Sequence, residues 1–471
     1  MINNFLTQQI KEYFPYQPTI EQLAALDSLA NFILSPPDET FVGSVFILRG
    51  YAGTGKTSLI GALVKALNTL QRPPVLLAPT GRAAKVFASY AEYPAYTIHK
   101  KIYRQRKFGQ ESAFSLQENL SQHTLFIIDE ASMIANEGLG GSMFGTGRLL
   151  DDLIQYVYSS SDCRLLLIGD IAQLPPVGEE ESPALRTSVL QGYGLDVTEV
   201  NMTEVVRQAH DSGILWNATR LRETLAAGQC HLVPKLKLRN FADVHIVSGS
   251  ELLDTLSECY GRDGIEQTAV ICRSNKQANA YNEGIRSRIL YREEEIERGE
   301  LLMVVKNNYF WGADHQDIPF IANGDTAVVR RIRRETELYG FRFQDMLLAF
   351  PDYNAEELEV RLLLDTLHSP APSLTREESE RLFASVYEDY ADVPTKAERM
   401  KKIKEDPQYN ALQVKYAYAI TCHKAQGGQW KNVFIDQGYV TAEQLSPNYY
   451  RWLYTAFTRA TEHLYLINWK E

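Results

Sequence analysis

The segment Gly50-Tyr51-Ala52-Gly53-Thr54-Gly55-Lys56-Thr57 has the composition of a loop that wraps a phosphate chain. Its glycines let successive backbone N–H groups turn toward one point. A helix opening at Lys56 would add its positive N-terminal end. Lys56 is then placed to reach the β- and γ-phosphates of a nucleotide, and the Thr57 hydroxyl to ligate Mg2+. A carboxylate pair, Asp129-Glu130, ends the apolar run LFII (125–128). Adjacent side chains leave a strand in different directions, so Asp129 can hold Mg2+ while Glu130 polarises an attacking water. Phosphoryl transfer needs further charge stabilisation on the γ-phosphate. Gln173, Arg207 and Arg459 are candidates for it. An arginine supplied by a second domain meets the phosphate only when the domains close, which would couple hydrolysis to motion.

The elements that must position these groups are short apolar runs. VFIL (45–48), VLLA (75–78), LFII and LLLI (165–168) run into Gly50, Pro79-Thr80-Gly81, Asp129-Glu130 and Gly169-Asp170. Continuous apolar runs suit central parallel strands covered on both faces, and open α/β sheets bind ligands at the C-terminal strand ends. A second set, TAVIC (268–272), AYAIT (417–421), NVFID (432–436) and HLYLI (463–467), predicts a second α/β domain. An interruption separates its first strand from the rest. There NGDTAVVRRI and GFRFQDMLLAF alternate like strands of a small barrel. The following stretch, from about Asn354 to Asn410, is charged and helical in pattern, with SPAPS (369–373) as a break. There is no internal repeat and no low-complexity tract.

Composition sets the class. The 471 residues are 45% apolar and 23% charged, which suits a soluble globular chain of two to four domains. No apolar run approaches the roughly 20 residues of a membrane span. The N-terminal MINNFLTQQIKEYF lacks the basic and apolar regions of a signal peptide, so the expected location is cytoplasmic. Five scattered cysteines (Cys163, Cys230, Cys259, Cys272, Cys422) without a CxxC pair argue against a zinc ribbon or a disulfide framework. The net charge of -11 is unlike that of many nucleic-acid binders. Between Arg82 and Lys107, however, seven basic residues face one acidic residue, Glu92. Such a local track is enough to hold phosphates.

Taken in order, these segments resemble the motif series of superfamily 1 helicases, in the RecD/Dda branch that moves 5′ to 3′. Gln22 in PTIEQLAALDSLA is similar to the Q motif that reads adenine, and GYAGTGKT to motif I. APTGRAAK (78–85), YTIHK (96–100), IIDEASM (127–133) and GDIAQLPPVG (169–178) resemble motifs Ia, Ib, II and III. MTEVVRQ (202–208), YAITCHKAQGGQW (418–430) and YTAFTRATEH (454–463) resemble motifs IV, V and VI. The series spans nearly the whole chain. It implies an α/β fold of two RecA-like parallel-sheet P-loop domains, with a small inserted hairpin (pin) domain and an inserted SH3-like barrel. The expected layout is 1–98 with 124–210 for the first RecA-like domain and 99–123 for the pin. The second RecA-like domain takes 211–317 with 411–471, and the barrel with its helical extension takes 318–410.

The resemblance assigns Lys56, Glu130, Gln173, Arg207 and Arg459 to ATP hydrolysis, and Thr57 and Asp129 to Mg2+. Gln22, Gly50, Ala52, Gly53, Thr54, Gly55, Lys56, Thr57, Ser58, Gly427 and Gln429 would contact the nucleotide; the family often has an acidic residue where this chain has Gln429. Pro79, Thr80, Arg82, Lys85, Thr97, His99, Thr421, His423 and Lys424 would line the single-strand track. Phe108 would tip the pin and stack on the last base pair. The implied activity is an ATP- and Mg2+-dependent DNA helicase. The implied partners are single-stranded DNA and single/double-strand junctions; RNA is an alternative. A monomeric motor with no membrane association is expected. Three other readings stay open: an RNA/DNA motor of the Upf type, a RecD-like helicase subunit of an exodeoxyribonuclease complex, and a non-motor P-loop ATPase switch.

Overall fold

The computed structural model describes residues 2–36, 38–105, 114–137, 145–206, 212–315, 317–318 and 320–469. The first part of the chain supplies strands β1 (Gly43–Gly50), β2 (Val75–Ala78), β3 (Ala95–Thr97), β4 (Tyr103–Gln105), β5 (Phe114–Leu116), β6 (Leu125–Ile128), β7 (Arg164–Gly169) and β8 (Leu195–Met202). Six of them form a parallel sheet of order β3-β2-β6-β7-β1-β8. Val45, Phe46, Ile47 and Leu48 of β1 are completely buried, because helices cover both faces of the sheet. That double burial is why these strands read as unbroken apolar runs. All six strands point the same way, so Gly50, Thr80, Asp129 and Asp170 emerge at one edge. β4 and β5 stand apart as an antiparallel pair.

The second part supplies β9 (Val244–Val247), β10 (Thr268–Cys272), β11 (Leu301–Val304), β12 (Thr326–Leu338), β13 (Phe341–Phe350), β14 (Glu356–Leu363), β15 (Leu412–Tyr416), β16 (Ala419–Thr421), β17 (Trp430–Asp436) and β18 (Ala460–Ile467). A parallel sheet of order β16-β10-β17-β18-β9 is the second α/β unit. β11 through β15 close into a barrel. Barrel and sheet share one core, in which Phe434 and Tyr465 of the sheet join Leu302, Met346, Leu412 and Tyr416 of the barrel. The opposite face of the sheet packs on the helix Pro447–Phe457 through Leu453 and Phe457.

Two expectations are corrected. The barrel reaches beyond 318 and 410, since β11 and β15 lie outside those limits and pair with each other antiparallel. Their sequences, LLMV and LQVKY, read as core runs of the neighbouring sheet, and only the long-range pairing assigns them to the barrel. The charged stretch after Asn354 does not begin as helix: EELEVRLL is β14, whose Leu358, Val360 and Leu362 face the barrel interior. Helices Arg376–Asp389 and Lys396–Lys404 follow, and close a small core over Phe341 and Phe343. Among the described residues no helix is long and apolar enough to cross a membrane.

Candidate nucleotide cleft and strand track

The phosphate-binding loop leaves β1 and enters the helix Lys56–Thr69. Gly53 and Gly55 have φ of 79° and 84°, the left-handed region that only glycine enters without cost. A Cβ on Gly55 would also strike the amide of Gln22. Gln22 is 3% exposed, and both ends of its amide are engaged. Its Oε1 accepts from the Thr19 N–H (2.9 Å) and its Nε2 donates to the Thr54 carbonyl (3.0 Å). Thr19 and Gln22 form a capping box. The glutamine expected to read adenine thus buttresses the loop from behind. Lys56 donates to the carbonyls of Gly50 and Tyr51, and Thr57 lies exposed at the first turn of the helix, with Ser58 half-buried after it.

Asp129 follows β6, and its two oxygens are held by the Tyr90 hydroxyl (2.6 Å) and the Glu130 N–H (2.8 Å). Burial, with the neighbouring Glu130 carboxylate adding to it, pushes its carboxyl up to about 6. Glu130 sits at φ 51°, a strained conformation for a non-glycine residue and one that clusters at functional sites. The turn brings its Oε1 within 3.7 Å of Nη1 of Arg459, which arrives from the second sheet. Arg459 is 3% exposed and also donates to the carbonyls of Thr455 and Gly428. Gln173 is buried nearby, and its Oε1 has no hydrogen-bond partner among the described residues. A cleft of about 650 Å³ joins Lys56, Thr57, Asp129, Glu130, Gln173, Gly427, Gln429 and Arg459. Arg207 lies outside the described residues, as does Phe108. The Thr57 hydroxyl and Asp129 carboxylate are hard oxygen donors of the kind Mg2+ takes. No group of three or more His, Cys, Asp or Glu among the described residues could hold a metal. Two protein oxygens would leave the rest of such an ion's shell to phosphate and water.

Several residues here were not singled out from sequence. Tyr454, five residues before Arg459, takes the Ala52 N–H on its hydroxyl oxygen (2.9 Å) and donates to Asp170 Oδ2 (2.5 Å). Thr455 accepts from the Leu174 N–H (2.9 Å), and Gln426 donates to the Leu174 carbonyl (2.6 Å). The QLPPVG turn is therefore clamped from two sides by the second domain, through the helix Pro447–Phe457 and the turn at Gln426. Tyr454, Thr455 and Gln426 stood inside quoted motifs, so the motif match was the available sign; Tyr90 had none.

The strand-track candidates divide. Thr80, Thr97 and Thr421 each N-cap a helix at the C-terminal end of a strand, β2, β3 and β16. Thr80 and Thr97 accept the Ala83 and Lys100 N–H groups, which leaves each hydroxyl hydrogen free to donate. Helix N-termini favour phosphate. Pro79 precedes Thr80, half-buried. Lys424 donates to Asn323 of the barrel, and burial pulls its ammonium down to about 8. His423 opens on a second groove, of about 410 Å³, with Pro175, Pro176 and Trp452. His99 packs between Tyr103 (5.6 Å) and Phe320 (6.3 Å), and burial lowers it to about 4, so it is neutral. Arg82 and Lys85 do not point to this track. Arg82 stacks on Trp430 at 3.9 Å and donates to the Gln429 carbonyl. Lys85 donates to the Pro351 carbonyl and lies 3.7 Å from Asp352. Both tie the first domain to the second domain and barrel, from the side of helix Gly81–Ala91 that packs on Trp430 and Pro351.

Residues 40–231 match the AAA domain family, and residues 416–467 match the UvrD-like helicase C-terminal domain family. An uncharacterized protein of Acanthamoeba polyphaga mimivirus is 22% identical, over 89% of this chain and 94% of that protein. The ATP-dependent RecD2 DNA helicase of Deinococcus radiodurans is 27% identical over 41% of this chain. The matched region spans only 22% of that relative's length. The Pif1 helicase from Bacteroides in complex with ADP-AlF3 and ssDNA overlays with a TM-score of 0.48 at 15% identity, covering 96% of this chain and 93% of that one. The AAA domain carries the phosphate-binding loop, and the helicase C-terminal domain supplies Arg459 to the same cleft and Tyr454 to the Ala52 N–H of the loop. The chain thus joins an AAA domain to a UvrD-like helicase C-terminal domain across one cleft.

Proposed function

We propose that this chain is a motor that moves 5′ to 3′ along single-stranded DNA and opens duplex ahead of it. One observation carries the reading: Arg459 of the second sheet reaches within 3.7 Å of Glu130 beside the phosphate loop. Lys56 would hold the β- and γ-phosphates, Glu130 would orient the attacking water and Gln173 would sense the γ-phosphate, with Arg459 and Arg207 offsetting its charge. Thr57 and Asp129 would hold Mg2+, which neutralises phosphate charge when bound. Backbone N–H groups of Gly53, Thr54, Gly55 and Ser58 would line the phosphates, and Gly427 and Gln429 the rest of the nucleotide. Thr80, Thr97, Thr421 and Lys424 would grip strand phosphates, making the grip largely independent of sequence. The β4–β5 pair would be the base of a pin that splits the duplex, and the five-stranded barrel an SH3-like insertion.

A forked duplex carrying a 5′ tail, compared with one carrying a 3′ tail, tests this reading. Unwinding of the 5′-tailed fork with ATP is expected. ATP turnover without displacement on either fork would instead favour a non-motor switch, and stimulation by RNA but not DNA oligomers an RNA motor.

A further inference from the structure

β12 carries Arg330, Arg331, Arg333 and Arg334 within five residues, all four exposed, in a chain whose net charge is -11. The pairing with β13 shifts register twice, between Val329 and Arg331 and between Ile332 and Glu335. Each shift inserts an extra residue on β12 and breaks the alternation that would turn every second side chain inward. Arg330 lies 3.7 Å from Glu357, and Arg333 pairs with Glu359. These glutamates are two apart on β14 and share one face, so Arg330 and Arg333 lie over that face as well. Arg331 and Arg334 have no carboxylate within ion-pair distance among the described residues.

The strand also starts at the strand track. Just before β12, Asn323 accepts from Lys424 and Asp325 lies against Gly81 at the Thr80 cap. At about 3.3 Å per residue, Arg331 and Arg334 stand roughly 20–30 Å farther along β12. We propose that the Arg330–Arg334 face grips the phosphate backbone of the duplex that adjoins the tracked single strand. This rests on the reading of the chain as a DNA motor. Guanidinium forks match phosphate oxygens, and duplex DNA offers one charge per about 1.7 Å of axis. Arg330–Arg334 contains no aromatic ring, the stacking surface that unpaired bases use. The segment therefore suits a backbone and not unstacked bases.

The test uses the full chain with Arg331→Glu/Arg334→Glu, and with Arg331→Gln/Arg334→Gln as a milder variant. Affinity is read by fluorescence anisotropy across a salt series for a 5′-tailed hairpin duplex and for the same tail alone. The wild type should bind the tailed duplex about tenfold more tightly at low salt, with a log–log salt slope steeper by about 2. Both variants should lose that difference while tail-alone affinity and tail-stimulated ATP turnover stay at wild-type values. Retained duplex preference in the variants, equal loss on the tail alone, or no duplex preference in the wild type would overturn the proposal. Variants with unchanged DNA binding that lose capture by an acidic peptide would assign the face to a protein partner and equally overturn it. Loss of tail-stimulated turnover in the wild type itself would instead remove the motor reading.

Discussion

The hydroxyl of Tyr454 bridges two parts of the first domain from the second: its oxygen takes the Ala52 N–H of the phosphate loop, and its proton goes to Asp170 Oδ2 at 2.5 Å. Asp170 is 2% exposed, and burial raises its carboxyl, so loss of the donor would strand a buried acceptor. Tyr454→Phe keeps the ring and removes only the bridge. One hydrogen bond to a charged group is worth roughly 1.5–3 kcal/mol. DNA-stimulated ATP turnover should therefore fall about tenfold or more, with a lower melting temperature. Turnover and melting equal to wild type would show that the bridge transmits nothing.

Lys56→Ala should abolish ATP turnover and leave single-strand affinity within a few-fold, because Lys56 faces the phosphate loop and not the threonine caps. Filter binding beside a phosphate-release assay separates the two effects. A variant that hydrolysed ATP with DNA present would remove Lys56 from the site.

Arg459→Ala removes a cation brought by the second sheet while the first domain keeps its loop intact. Arginines that stabilise γ-phosphate charge contribute about 10³–10⁵-fold in turnover. A drop of at least 10³-fold with nucleotide affinity changed by less than tenfold is expected. Comparable losses in nucleotide binding and turnover would mark Arg459 as structural, held as it is by the Thr455 and Gly428 carbonyls.

Lys424 provides a pH signature for the strand track. Burial holds its ammonium near 8, with Lys415 lowering it further and Asn323 accepting from it. A phosphate contact needs the protonated form. Single-strand affinity should then weaken as pH rises from about 7.5 to 9, and Lys424→Gln should flatten that part of the profile. Parallel profiles for the two proteins would take Lys424 off the track.

The groups legible in the sequence were those whose geometry follows from a strand end. Lys56, Asp129 and Glu130 each follow an apolar run, and a parallel sheet brings such ends to one edge. Arg459 needed the motif order as well, since only the fold carries it across the cleft. What escaped was direction. Arg82 and Lys85 share a helix with the Thr80 cap, yet helix rotation aims them at Trp430 and Asp352. Gln22 was visible as a motif residue, but its capping box with Thr19 turns its amide inward. Tyr90 meets Asp129 from a helix 39 positions away, a contact no local pattern encodes. β14 carries the alternation of a half-buried strand, with Glu357, Glu359 and Arg361 between Leu358, Val360 and Leu362, but the charged helices that follow it gave the whole stretch a helical cast.

Folding stability should be pH-dependent through Asp325, which accepts from the Ala322 N–H and the Tyr353 hydroxyl. This carboxyl is 1% exposed, and burial raises it to about 7; Asp352 adds to the rise, and the Ala322 N–H and Tyr353 hydroxyl oppose it. The folded value lies above the unfolded one, near 3.9. The native state thus keeps a proton that the unfolded chain releases, and its contribution is fully present below about pH 4. Stability contributed at this site falls as pH rises from about 4 to about 7, then levels off. At 1.36 kcal/mol per unit the decline is on the order of a few kcal/mol. Asp325→Asn keeps the shape and an acceptor for Tyr353 but cannot ionise. Urea unfolding at pH 5 and pH 8 should show wild type losing more stability than the variant over that interval. Equal losses would mean that Asp325 titrates in the folded protein as it does in the unfolded chain.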